Sequence, residues 1–109
     1  MSETVWLEGA SVPYQYEKTD GESWSFDTSS EACPVPMVSA LIGLRQIDAP
    51  NKRLIMFNHS RPTALIDRVK DSFAIAVAQL SDGRFEIVFE FKQGAPKAEL
   101  HKNLNCADK

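Results

Sequence analysis

The chain has 109 residues and a formal charge of −3, with 43% hydrophobic and 25% charged residues. This composition predicts a single globular domain, and the absence of a basic cluster argues against direct nucleic-acid binding. No apolar run reaches the roughly 18 residues of a membrane helix, and the start lacks a signal peptide's basic residues, so we expect a cytoplasmic protein without membrane contact.

The first 22 residues are predicted to form an extension with an extra strand or hairpin arm. Residues 5–7 suit a short strand, and Asp20-Gly21 is a strong hairpin signal. Counting outward from that pair places Glu17 opposite Trp24. The aromatic residues of the two predicted strands are candidates for packing, namely Tyr14, Tyr16, Trp24 and Phe26.

Cys33 lies between a predicted strand and a predicted helix. Residues 23–27 alternate polar with apolar side chains, whereas apolar residues recur at helical spacing over 37–47. Pro36 suits the first helical turn, and Pro34 and Pro36 fix the backbone around the sulfur. A helix N-terminus favours thiolate over thiol. We therefore interpret Cys33 as a reactive nucleophile, the alternative being a small buried hydrophobic residue.

The residues before Cys33 carry a carboxylate and hydroxyl groups. Asp27 and Ser30 are expected to cap the helix, and hydrogen bonds to the loop backbone or assistance to the sulfur are the alternatives. The helix itself is predicted over residues 36–47. Gly43 costs this helix about 1 kcal/mol relative to alanine, which a close packing contact would explain.

The second half of the chain completes an alternating order of elements. The apolar run 53–58 suits a buried central strand, and Pro62 suits the first turn of a second helix. Residues 74–78 fit either a helix or a strand, and the hairpin signal Asp82-Gly83 favours a strand for their later half. Residues 85–91 alternate as a strand with one buried face.

The order strand-helix-strand-helix-strand-strand predicts an α/β (α+β) fold. We expect two helices on one face of a mixed sheet of four or five strands, with the first two strands of this core parallel. Loops that follow parallel strands meet at one end of the sheet, where ligands bind. This geometry predicts that His59, Ser60 and Arg61 lie near Cys33 and are candidate electrostatic helpers. For His59 a plain surface position is the stronger alternative.

The chain holds 2 cysteines, Cys33 and Cys106, and 2 histidines. Their spacing matches no metal-binding signature, so we expect neither a metal site nor a cofactor. In a reducing compartment both cysteines should be free thiols.

The residues around Cys33 resemble the TusA/SirA-like sulfur-carrier family. The similarity covers Asp27-x-x-Ser30-x-x-Cys33-Pro34-x-Pro36-Met37 and extends over about residues 24–92, including Arg61-Pro62 and Asp82-Gly83. The resemblance implies a two-layer sandwich of two helices over a mostly four-stranded mixed sheet. It also implies that Cys33 carries a persulfide. The implied partners are a sulfur donor protein such as a cysteine desulfurase and a downstream sulfur acceptor protein.

The chain differs from the family pattern in three places. Ser30 replaces a usual glycine, Leu41 and Ile42 replace basic residues, and Ser60 and Arg61 replace an acidic pair. An arginine near Cys33 would favour the thiolate further. The differences change the surface that a partner would meet, because charges at the rim of an interface select partners.

The sequence supports two functions and leaves the oligomeric state open. The first is a sulfur-carrier-like protein, acting as a sulfurtransferase or relay protein through Cys33. The alternative is a non-catalytic interaction or regulatory module with a structural Cys33, and a redox sensor using Cys33 and Cys106 is weaker. We divide the chain into an extension (1–22), a TusA/SirA-like domain (23–92) and a polar tail (93–109).

Overall fold

The computed structural model describes residues 2–18, 21–31 and 35–92. Its elements are, in chain order, β1 (Ser2–Val5), β2 (Tyr14–Lys18), β3 (Glu22–Asp27), α1 (Val35–Leu44), β4 (Lys52–Asn58), α2 (Thr63–Val69), β5 (Phe73–Gln79) and β6 (Phe85–Phe91). They form an α+β fold with a mixed six-stranded sheet and two helices. The expected four or five strands were too few, because the N-terminal segment supplies two strands to the sheet.

The strands lie in the order β1-β2-β3-β4-β6-β5. The two strands on either side of α1, β3 and β4, are parallel as predicted, and every other neighbouring pair is antiparallel. The carboxyl ends of β3 and β4 therefore lie at the same end of the sheet. The loop that leads to Cys33 begins there beside the loop that leads to α2.

One face of the sheet packs against both helices. Register aligns Trp24 of β3 with Leu54 of β4 and Phe89 of β6, so these side chains share that face. They belong to one buried cluster with helix residues Met37, Ala40, Leu41, Leu44, Leu65 and Val69. The opposite face is covered by neither helix, and Ser25, Ile55 and Val88 are half-buried there.

Strands β2 and β3 form the predicted hairpin, with a register one residue away from the expected one. Tyr16 pairs with Trp24 and Glu17 pairs with Ser23, so the expected pairing of Glu17 with Trp24 was wrong. This register places Tyr16 and Trp24 on the same face, with ring centroids 5.0 Å apart. The predicted aromatic packing is confirmed. A second tilted pair joins Tyr14 and Phe26 at 5.1 Å.

Helix α1 ends at Leu44, earlier than expected, and Ile47 is nevertheless buried beyond its end. Gly43 lies against the sheet: a Cβ there would meet Leu54 Cδ1 at 2.8 Å and Tyr14 Cε2 at 3.2 Å. The predicted close packing contact at this glycine is confirmed.

The segment 74–78, which fitted either helix or strand, belongs entirely to β5 and pairs with β6 along its length. The polar tail with its predicted short helix near residues 97–103, and Cys106, lie outside the described residues. Within the described ranges, neither helix has the length and apolar character needed to cross a membrane.

Candidate functional site

The predicted nucleophile Cys33 and its neighbours Ala32 and Pro34 lie outside the described residues. The chain on both sides of them is described, from the loop residue Glu31 to the start of α1 at Val35. Pro36 is buried in the first turn of α1, as its position in the sequence predicted. The candidate site is therefore built from the loop before Cys33 and from the parallel strands that carry it.

A buried pair of polar side chains joins the two loops at the carboxyl ends of β3 and β4. Thr28 Oγ1 lies 2.9 Å from Asn58 Oδ1 and 3.1 Å from the Phe57 carbonyl oxygen, with its hydroxyl as the donor. The Thr28 N–H donates to the same carbonyl at 2.8 Å. Thr28 is 0% exposed and Asn58 is 4% exposed. We call Thr28 and Asn58 the loop junction.

The loop junction also orders the chain after β4, because the Asn58 amide donates to the Ser60 carbonyl oxygen at 3.1 Å. His59, Ser60 and Arg61 are all exposed on this loop. The Arg61 guanidinium lies 3.2 Å from Thr63 Oγ1, at the start of α2. The structure thus brings the beginnings of the two loops together, as expected for parallel strands, whereas the predicted proximity of His59, Ser60 and Arg61 to Cys33 involves a residue outside the described ranges.

Asp27 contacts the loop backbone instead of a helix end in the described part of the chain. Its Oδ1 accepts a hydrogen bond from the Ser29 N–H at 2.8 Å, which is the alternative to the capping role expected for it. The Glu31 N–H then donates to the Thr28 carbonyl oxygen at 3.0 Å, closing a turn. Ser30 is exposed within this turn.

Arg84 belongs to the site although its sequence position gave no signal. Its Nη1 lies 3.1 Å from Asp27 Oδ2, and its Nε lies 2.8 Å from Asp82 Oδ2. Its guanidinium carbon is 5.7 Å from the centroid of the Phe57 ring, within cation–π range. Backbone and side-chain hydrogen bonds from Arg84 lower the pKa of Asp82. Only the pairing of β4 with β6 brings Arg84 next to the loop before Cys33.

An open cleft of about 520 Å³ lies beside this cluster. Asp27, Glu31 and Arg84 supply its charged groups, and Phe57 supplies an aromatic wall. The remaining lining residues come from the N-terminal segment and β3, namely Val12, Pro13, Gln15, Ser25 and Phe26. Because Glu31 is two residues before Cys33, the cleft reaches the loop that carries the predicted nucleophile. An extended peptide with polar and apolar side chains would find partners for both in such a cleft.

No family model, curated protein or solved structure matches this chain significantly. The resemblance to sulfur carriers thus stays a prediction drawn from the residues around Cys33. Within the described ranges, no group of three or more His, Cys, Asp or Glu side chains is placed to hold a metal ion.

Proposed function

We propose that this chain is a sulfur-carrier-like protein that accepts and relays persulfide sulfur on Cys33. The observation that carries the proposal is the loop junction at the carboxyl ends of two parallel strands. Ligands of open α/β sheets bind at that end of the strands. The loop that contains Cys33 leaves from this point, and α1 follows two residues after the cysteine. A helix N-terminus stabilises a nearby anion, here the thiolate and later the persulfide.

In the proposed transfer, the Cys33 thiolate attacks the outer sulfur of a donor persulfide. A new S–S bond forms between Cys33 and that sulfur, the S–S bond within the donor breaks, and the donor leaves as a thiolate. The proton of the donor persulfide stays on the transferred sulfur. One bond replaces another of the same kind, so the step needs no external oxidant, reductant or cofactor. The same exchange in the second step moves the sulfur to an acceptor thiolate.

Other predicted site residues have supporting roles in this proposal. Asp27 and Ser30 shape the loop, Pro34 and Pro36 lead into the helix, and the loop 59–61 supplies polar and positive groups at the same end of the sheet. The partners are a donor such as a cysteine desulfurase and a downstream acceptor protein. We place the relay in the cytoplasm, where a reducing environment keeps Cys33 available as a thiol between transfers.

The arrangement of the core supports this proposal. The elements from β3 to β6 follow the β-α-β-α-β-β order of the proposed two-layer sandwich, and residues of both helices join one cluster with one sheet face. The β1–β2 hairpin adds two strands to that core.

The non-catalytic interaction module is the second candidate function, and the cleft favours it. Val12 and Pro13 of the N-terminal segment form part of the cleft wall, so the extension contributes to a surface that a peptide could occupy. Helix α1 contains no charged residue and is almost entirely buried, which is compatible with a purely structural role for the cysteine that precedes it.

Persulfide loading separates the two functions. The folded protein is incubated with a cysteine desulfurase and cysteine, and its intact mass is measured under non-reducing conditions. We expect one added sulfur atom that a reductant removes, that Cys33→Ser abolishes and that the matched control Cys106→Ser retains. The absence of an adduct with several donors, on folded protein whose Cys33 reacts with an alkylating reagent, would support the interaction module. A lowered pKa of the Cys33 thiol, measured from the pH dependence of its alkylation rate, would support the sulfur-carrier function.

A further inference from the structure

Strand β5 forms one edge of the sheet. It pairs with β6 on one side, and on its other side no strand of the described residues pairs with it. The free N–H and C=O groups of an edge strand are a template for another strand. Proteins normally block such an edge with charges, prolines or a short strand. The seven residues Phe73–Gln79 contain neither a charge nor a proline.

The opposite edge of the sheet has the protection that β5 lacks. Strand β1 has four residues, and it carries the exposed acid Glu3. A short, negatively charged edge resists pairing with a second copy of itself. The two edges therefore differ in the features that control strand addition, and within the described part of the chain β5 is the less protected one.

The side chains of β5 would allow another strand to approach closely. Ala74, Ala76 and Ala78 are exposed on the face that the helices do not cover. On the other face Val77 is 36% exposed, although Ile87 beside it in β6 is fully buried. Val77 thus offers apolar surface beyond the edge of the sheet.

We propose that β5 pairs antiparallel with β5 of a second copy of this chain, about a two-fold axis at Ala76. In this register Val77 of each copy lies opposite Ile75 of the other, and cross-strand pairs of β-branched residues stabilise sheets. Ala76 meets Ala76 across the axis, and no like charges face each other within the strands. The pairing joins two six-stranded sheets and is closed, because both copies use the same edge about a two-fold axis.

Charge complementarity at both ends of the strand favours a second copy as the occupant. Lys70 precedes β5 and Asp82 follows it; both side chains are more than half exposed, although Lys70 lies 3.7 Å from Asp67 and Asp82 lies 2.8 Å from Arg84 within the same chain. They lie at equal distances in sequence from Ala76, on opposite sides of it. Antiparallel pairing centred at Ala76 therefore places Lys70, at the end of α2, at the same end of the strand pair as Asp82 of the other copy, in its β5–β6 turn.

The dimer should be weak, because a single strand pair is smaller than the roughly 1,200–2,000 Å² of a stable interface. We expect a dissociation constant on the order of 100 µM, so sedimentation velocity should be run from about 5 to about 500 µM protein. Across that range the wild-type sedimentation coefficient should rise from the monomer value toward the dimer value. Ala76→Lys opposes two ammonium groups at the axis and should remain monomeric throughout. The control Thr4→Lys adds the same charge on exposed β1 and should dimerise like the wild type.

A charge-swap pair tests the register directly. Ala76→Glu alone should be monomeric, whereas an equimolar mixture with Ala76→Lys should form a mixed dimer. Circular dichroism checks that each variant is folded; if Ala76→Lys does not fold, Ala76→Glu, which opposes two carboxylates at the axis, replaces it as the disrupting variant. A wild-type protein that stays monomeric, a dimer that survives Ala76→Lys, or a mixture that fails to associate would each overturn the proposal. A monomer in every sample is also the result expected if another segment or partner occupies this edge.

Discussion

Replacing Thr28 by valine tests the loop junction. Valine has nearly the same shape as threonine, so the substitution removes the hydroxyl without opening a cavity. The hydroxyl has one proton for its two acceptors, Asn58 Oδ1 at 2.9 Å and the Phe57 carbonyl at 3.1 Å. The Phe57 carbonyl keeps the Thr28 N–H, which donates to it at 2.8 Å. The side-chain oxygen of Asn58 is therefore the acceptor that loses its hydrogen-bond donor.

The expected loss of stability follows from the burial of the Asn58 oxygen. One lost hydrogen bond costs about 1 kcal/mol, and leaving the buried Asn58 oxygen without that donor costs about 1 kcal/mol more. We expect Thr28→Val to lower the free energy of unfolding by about 2 kcal/mol, which corresponds to a fall in melting temperature of roughly 8 °C for a chain of this size.

Urea unfolding followed by circular dichroism measures this change. Thr28→Ser is the matched control: it keeps the hydroxyl and loses one buried methyl group, so it should lower the free energy of unfolding by about 0.8 kcal/mol. In an Asn58→Ala background the valine substitution should cost about 1 kcal/mol less, because the acceptor is already gone. A loss under about 0.5 kcal/mol for Thr28→Val, or an equal loss for the serine variant, would refute the bridging role of the hydroxyl.

Two further substitutions test the contacts of α1. Tyr14→Phe removes the hydrogen bond to the Ser39 carbonyl, 2.5 Å long, and should cost about 1–2 kcal/mol in urea unfolding at neutral pH, whereas Tyr16→Phe should change little. Burial raises the pKa of Tyr14 above its usual value of 10.0, so wild-type stability should fall as the pH rises beyond 10.0 and Tyr14→Phe should lack that component. Gly43→Ala gains about 1 kcal/mol of helix propensity but forces a Cβ against fully buried Leu54, a cost of about 1–3 kcal/mol, so its melting temperature should fall.

Identical alkaline unfolding of wild type and Tyr14→Phe would show that the buried phenol does not control the pH dependence. A raised melting temperature for Gly43→Ala would show that Leu54 can move aside and that helix propensity dominates at this position.

The sequence allowed the main elements to be predicted because apolar periodicity reports burial. The alternation in residues 85–91 and the apolar run at 53–58 correspond to real strands. The same signal overextended α1, since Ile47 is buried without being helical. A pattern of burial marks what faces the core and does not by itself mark where a helix ends.

Long-range contacts account for what the sequence could not predict. Gly21, just before β3, lies against the turn that precedes β4: a Cβ on Gly21 would collide with the backbone oxygen of Asn51, and the Glu22 N–H donates to that same oxygen at 2.9 Å. A contact between two turns so far apart has no local signature. The position of Arg84 beside Asp27 likewise follows from the order of the strands in the sheet.

The burial of Tyr14 changes how the N-terminal extension should be regarded. Its ring is enclosed in the interior, and its hydroxyl is bonded to the backbone of α1, the helix that follows Cys33. A shortened protein that starts at residue 23 would lose this ring and leave a cavity of about its volume between the sheet and α1. We expect such a truncation to loosen α1, so the proposed sulfur chemistry at Cys33, two residues before that helix, should depend on the extension.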